Sequence, residues 1–298
     1  MELARPTTLV RLAAAALAAL ALALCAQAAL APGAEAARSK RIVALSPFAA
    51  NALVEMGVKP VAIGQTLGGR DRFSRKLRRV RVLPLSHPYG PNLEQLAKLR
   101  PDLVLSTPQW RKGHAAMRRL KIRVVTTDPR SVAGVIGQSR LIGKLIGKPK
   151  AGERLARRLY REVDRERRNI THRPRVLMIL GVGRTPFAFL RNSWGGDLVT
   201  RAGGRLITDG LKASGGFARI SNEYVVAADP DVIIAVPHGN TKDIPAAREW
   251  LLTNPAWQDT RAVKEGRLYV STDNSLLQPG TDVAKIIRRV RAWYLHNR

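Results

Sequence analysis

Short apolar runs closed by turn residues alternate along this chain with stretches of helical spacing, and the alternation begins at Arg41. The run Arg41-Ile-Val-Ala-Leu stops at Ser46-Pro47, and residues 48–56 then repeat their apolar positions every three or four residues up to Gly57. That order predicts a strand, a turn and a helix. Further strands are predicted over 61–64, 103–105 and 123–126, with helical spacing between them, which builds a parallel, doubly wound sheet. The pattern restarts with a strand over 175–181, continues with strands at 232–236 and 268–270, and closes with a helix over 282–295. Two α/β lobes of one class are expected, an N-terminal lobe over 40–130 and a C-terminal lobe over 173–298.

The lobes also carry a sequence repeat. Asn92-Leu-Glu-Gln-Leu-Ala-Lys-Leu-Arg-Pro-Asp-Leu-Val-Leu-Ser-Thr-Pro108 lies without gaps over Ser221-Asn-Glu-Tyr-Val-Val-Ala-Ala-Asp-Pro-Asp-Val-Ile-Ile-Ala-Val-Pro237, with Glu94/Glu223, Pro101/Pro230, Asp102/Asp231 and Pro108/Pro237 identical. Each copy opens on a residue that caps helices, runs through one short helix, turns at Pro-Asp and enters a buried strand. Internal duplication accounts for this. Residues 131–172 lie between the lobes as two helical stretches split at Gly147-Lys-Pro149. The second, over 151–170, carries Leu155, Leu159, Val163 and Ile170 as one narrow stripe among arginines, with Glu153, Glu162, Asp164 and Glu166 interspersed as a solvated face. Twenty helical residues reach ~30 Å, so a single long interdomain helix is expected to join the lobes as a strut.

Composition changes the picture in two ways. The 298 residues hold 51 Lys+Arg against 22 Asp+Glu, a formal charge of +29, which points to anionic partners. Cysteine occurs once, at Cys25, so cysteine-based metal sites and disulfide frameworks are excluded. Cys25 lies in an apolar run over 12–26, behind Arg5 and Arg11 and ahead of Ala26-Gln-Ala28 and Ala34-Glu-Ala36. That is the order of a secretory signal peptide over 1–37, too short to span a bilayer. Leu24 before Cys25 argues against a lipid anchor there. The leader's two arginines are balanced by Glu2 and Glu35, so the positive excess belongs to the mature protein.

Together, Arg41-Ile-Val-Ala-Leu-Ser-Pro47, Pro91-Asn-Leu-Glu94 running into Arg100-Pro-Asp-Leu-Val-Leu105, and Asn254-Pro-Ala-Trp257 followed by Ala262-Val-Lys-Glu-Gly-Arg-Leu-Tyr-Val270 resemble the bilobal, helix-linked (class III) substrate-binding proteins of ABC importers for ferric siderophores, haem and cobalamin. The likeness runs from Lys40 to the C-terminus. It departs from the family at Asn51-Ala52, where Thr-Glu is frequent. The resemblance implies a periplasmic protein that captures an iron chelate, siderophore or haem, between its lobes. Such a protein delivers the chelate to an inner-membrane permease dimer driven by an ATPase. It implies no catalysis, no cofactor of the protein's own and a monomer; cobalamin is the alternative cargo. Glu94 and Glu223 match the glutamates that dock onto permease arginines in this family, and they are expected to lie away from the ligand. Tyr89 and His238 correspond to positions that supply axial iron ligands in haem-binding members.

Ligands of doubly wound sheets bind beyond the carboxyl ends of the strands. The loops there offer Ser46, Gln65, Tyr89 and Trp110 in the first lobe, and Arg184, Arg191, Trp194, Arg219, His238 and Asn274 in the second. The arginines suit carboxylates, the tryptophans suit a flat chelate, and Tyr89 with His238 is a competent donor pair for ferric haem. His114, beside Arg111 and Lys112, is expected at the surface.

Two other function classes are weaker. Gly181-Val-Gly183-Arg-Thr-Pro186 follows a strand, but Pro186 stands where a dinucleotide-binding turn needs its third glycine. A basic envelope protein adhering to anionic surfaces fits the charge, whereas nucleic acid does not, since no aromatic-interleaved basic motif occurs.

Overall fold

The structure is a computed structural model and describes residues 40–66, 69–168, 170–182, 184–212, 215–239 and 242–295. The signal sequence, Cys25 and His296 lie outside the described residues.

The first sheet holds β1 (Ile42–Ala44), β2 (Ala62–Gly64), β3 (Arg81–Leu83), β6 (Leu103–Ser106) and β7 (Arg123–Thr126) in the order β3-β2-β1-β6-β7, all parallel. Its edge strand β3 has an arginine-rich approach, which hides it from a hydrophobicity pattern. A small hairpin, β4 (Leu85–Ser86) with β5 (Gly90–Pro91), stands beside it. Three helices complete this half: α1 (Pro47–Glu55), α2 (Leu93–Lys98) and α3 (Arg111–Arg119). Asn51, on α1, is buried; its side chain donates to the Arg72 carbonyl (2.8 Å) and accepts from the Ser74 N–H (2.8 Å), fixing the approach to β3.

The second sheet departs from pure parallel order. β8 (Arg175–Val182), β12 (Val232–His238) and β13 (Leu268–Val270) run parallel, but β9 (Thr185–Phe189) folds back antiparallel on β8 and carries β11 (Phe217–Arg219) antiparallel beyond it. β10 (Arg205–Leu206) pairs with the first residues of β8. The run over 175–181 is therefore the first arm of a hairpin. Helices α6 (Trp194–Ala202), α7 (Asn222–Ala228), α8 (Ile244–Thr253) and α9 (Arg261–Lys264) surround this sheet.

Strand alternation sorts the core into layers. Ile42, Ala44, Leu103 and Leu105 point to one face of the first sheet and Val43 and Val104 to the other; Val176 and Met178 divide from Leu177 and Ile179 in the second. The faces carrying Ile42 and Val176 share a single apolar core, filled by the helices between the sheets.

Those helices are α4 (Val132–Leu145) and α5 (Pro149–Arg167). α4 lies alongside the long helix so closely that a Cβ on Gly143 would stand 2.7 Å from the Gly152 Cα. Glycine at both positions lets the two backbones touch. α5 begins at Pro149, which suits a first helical position, and ends three residues earlier than its apolar stripe suggests. Arg158 pairs with Glu55 of α1 in the first half. Glu166, expected in the solvated face, is instead buried: it accepts from Arg288 (2.6 Å) and Arg291 (3.3 Å) of the last helical segment, α10 (Val283–Val290) and the wider turn that follows it. A second tie joins the halves directly, where buried Arg72 meets the Asp282 carboxylate in a two-pronged contact of 3.1 and 2.9 Å.

Candidate functional site

At the carboxyl end of the second sheet a cavity of about 530 Å³ is lined by Arg184, Thr185, Pro186, Arg219, Ile220, Ser221, Asn222 and Glu223. The β8–β9 turn brings Arg184, the start of β9 brings Thr185 and Pro186, the end of β11 brings Arg219 with Ile220 after it, and the capped first turn of α7 brings Ser221, Asn222 and Glu223. Antiparallel pairing sets Arg219 opposite Phe187, two residues past Thr185, which is why residues 35 positions apart share one wall. Both arginines are exposed and present two delocalised cations suited to carboxylate groups.

Glu223 lines the same cavity, beside Arg184 and Arg219. Its carboxyl is held below the usual carboxylate range by hydrogen bonds from Ser221 and from its own backbone N–H. Ser221 caps the helix, accepting from the Tyr224 N–H at 3.2 Å, as Asn92 accepts from Gln95 at 3.0 Å in the first half. Glu94 is exposed on the equivalent first turn of α2. The position of Glu223 depends on Asn222, which sequence reasoning passed over. Its Oδ1 accepts from the buried Trp257 indole (2.9 Å) and from Asn254 (3.1 Å), so the Asn254-Pro-Ala-Trp257 motif acts as a clamp on the start of α7. A polar residue where the first copy of the repeat has Leu93 was the available signal.

The other candidates divide by what holds them. Ser46 caps α1 through the Ala49 N–H (3.3 Å), and Gln65 is exposed just past β2. Tyr89 is 59% exposed between β4 and β5. Trp110 is half-buried, edge-on to His87 at 6.1 Å, and its indole N–H has no partner among the described residues. His238, the last residue of β12, is also half-buried with Nδ1 unpartnered, and burial keeps its ring below the usual pKa and hence neutral. A neutral imidazole is the form that can donate to a metal. Asn274 begins the turn before α10, its carbonyl accepting from Gln278 at 2.8 Å.

Two expectations, for Trp194 and His114, are overturned by packing, whereas Arg191 stays exposed. Trp194 is only 6% exposed and its indole donates to the Ser275 carbonyl at 2.8 Å, so it seals the core and presents no ring face to a ligand. Arg191 lies outside the cavity and reaches toward the Leu206 carbonyl at 3.5 Å. His114 is buried, with Nε2 2.8 Å from the Ser106 hydroxyl, and burial together with Arg118 lowers its pKa. Among the described residues no group of three or more His, Cys, Asp or Glu comes together to hold a metal ion, and no helix is long and apolar enough to cross a membrane.

The chain is similar to a cobalamin-binding protein of Halobacterium salinarum, 25% identical over 261 residues that cover 84% of this chain and 68% of the relative. It is 27% identical over 249 residues to the Fe(3+)-citrate-binding protein YfmC of Bacillus subtilis, covering 77% and 72%. In fold it is similar to Staphylococcus aureus IsdE complexed with heme, with a TM-score of 0.72, 20% identity, and 86% and 99% of the two chains covered. The sequence matches the periplasmic binding protein family over residues 42–274, a span that takes in every strand of both sheets, and the chain belongs to that family.

Proposed function

We propose that this protein is the extracytoplasmic solute-binding component of an ABC importer, that its cargo is a ferric chelate bearing carboxylates, and that it works without catalysis or a resident cofactor. The observation that carries the cargo class is the meeting of Arg184 and Arg219 on one cavity wall at the carboxyl end of the second sheet. Two guanidiniums can hold carboxylates bidentately, and the relative that binds Fe(3+)-citrate supports the same class. Glu94 and Glu223, on matched first turns, are the proposed contacts to arginines of a permease dimer, which a monomer would span with its two similar halves. The test is titration of the purified protein with ferric citrate, a ferric siderophore, hemin and cobalamin, followed by tryptophan fluorescence. Tight binding of ferric citrate or a carboxylate siderophore is expected; cobalamin as the only ligand bound would overturn it.

A second cargo, haem, is favoured by one observation, the half-buried His238 ring whose Nδ1 has no partner among the described residues and whose pKa burial lowers. With Tyr89 it would supply axial donors to ferric haem. Reconstitution with hemin should then give a Soret band that Tyr89→Phe and His238→Ala each displace. An unchanged spectrum in the double variant rules haem ligation out.

A further inference from the structure

Parallel pairing collects residues scattered in sequence at one end of a sheet, and in the first half it collects cations. Arg79 and Arg81 enter β3, Lys59 precedes β2, Arg100 precedes β6, and Lys121 and Arg123 enter β7. The register sets Arg81 level with Ala62, and Leu103 level with both Ile42 and Arg123, so these approaches form one row across the amino ends of five strands. At ~4.8 Å per strand the row is about 19 Å long. All six cations are exposed, and none forms an ion pair with a described residue. Asp102, in the same row, is exposed and gives one carboxylate oxygen to the Arg41 N–H. Leu120 stands 45% exposed beside Lys121, an apolar side chain among the charges.

The second half shows that this end need not be basic. The repeat sets Arg100 over Asp229, and both hold left-handed backbone, with φ of 43° and 34°. Asp229 and Asp231 there pair with Arg261, and Glu265 pairs with Arg267. Lys121, at φ 58°, occupies the same turn, two residues before the edge strand, that Gly266 occupies at φ 64° in the second half. Left-handed backbone favours glycine, so the first half accepts strain at two positions and puts a cation at each.

We propose that this amino end of the first sheet is an electrostatic docking face for an anionic phospholipid bilayer. A row of unpaired cations with one exposed leucine suits a headgroup layer, which takes charge and a shallow apolar contact together. The row has no aromatic side chain on which nucleobases could stack. The ligand loops and the helix turns carrying Glu94 and Glu223 lie at the opposite, carboxyl end of the strands, so a molecule held this way turns them away from the bilayer and leaves it before docking on a permease.

The test is co-sedimentation of the full chain with vesicles of phosphatidylcholine alone or with about one third phosphatidylglycerol. Binding is expected only with the anionic lipid, and it should fall as salt is raised. The triple variant R79E/R100E/R123E should weaken binding at least about tenfold. R154E/R161E/R165E, the same charge change on exposed arginines of α5, should alter it by less than about threefold. R100G/K121G removes two of the cations and relieves both strained positions, so it should bind more weakly while melting no lower than the parent. Equal losses in the two triple variants would overturn the proposal, as would undiminished binding by a folded R100G/K121G. A parent protein that ignores anionic vesicles yet retains a short DNA duplex would overturn it too.

Discussion

Asp102 and Asp231 do the same job in the two halves of the molecule: each carboxylate accepts a backbone N–H at 2.7 Å, from Arg41 and from Arg175, at the start of the neighbouring strand. The equivalence extends outward. Each aspartate's own N–H returns a bond to that arginine's carbonyl, and each arginine's guanidinium donates at 2.8 Å to the helix end before the Pro-Asp turn, at Leu99 and at Ala228. Pairing of Ile42 with Leu103 is repeated by Val176 with Val232. One structural unit, used twice, accounts for all of these.

Asp102→Asn and Asp231→Asn should each cost ~1–3 kcal/mol through the weakened charge-assisted bond. In a chain this size that lowers the melting temperature by about 2–12 °C. The Asp231 variant should cost slightly more, since it also loses the 2.6 Å pair with Arg261. Calorimetry showing a loss in only one half would break the equivalence.

Removing Glu166 leaves the guanidinium of Arg291, itself 7% exposed, buried without its countercharge. Glu166→Leu should therefore cost ~3–5 kcal/mol, several times the effect expected for the exposed Glu153. Thermal melts of Glu166→Leu and Glu153→Leu give the comparison, and similar midpoints would show that the buried cluster contributes nothing special.

For a carboxylate-bearing ligand, Arg184→Ala and Arg219→Ala should each weaken binding roughly ten- to a hundredfold, the worth of a charge-assisted bond. Glu223 lies in the same cavity with the same sign of charge as such a ligand. Glu223→Gln should thus tighten binding slightly, and a loss in titration would instead make Glu223 a direct ligand contact.

Both His114 and His238 have pKa values lowered below 6.5 by burial. Their folded forms resist protonation more than the unfolded chain does. The stability they contribute is present above pH 6.5 and is lost as pH falls below it. Melting temperatures should decline on acidification from neutrality, and His114→Gln should flatten that decline; an identical pH profile would remove His114 as a source.

Much of this was legible from sequence because unbroken apolar runs and Pro-Asp turns are local signals. The strands of β1, β6, β8 and β12 stand out as apolar runs, and the repeat aligns Glu94 with Glu223. What escaped depends on long-range contact. Trp194 sits in a loop-like Asn-Ser-Trp-Gly stretch, and only the carbonyl of Ser275, 81 residues on, turns it inward. Glu166 looks like its neighbours on the helix until Arg291, 125 residues later, buries it. Arg219 and Glu223 meet Arg184 because of an antiparallel hairpin that the apolar run of β8 conceals.

The contact between Gly143 and Gly152 has a further consequence for the proposed delivery step. Two helices that meet backbone to backbone have no layer of side chains on which to slide at that contact, and ion pairs fasten the longer one, α5, to α1 and α10. Loaded and empty molecules would then show a permease nearly the same outline. Empty carrier would compete with loaded carrier for the same docking place, so at fixed ligand, uptake should pass through a maximum and decline as carrier is added in excess.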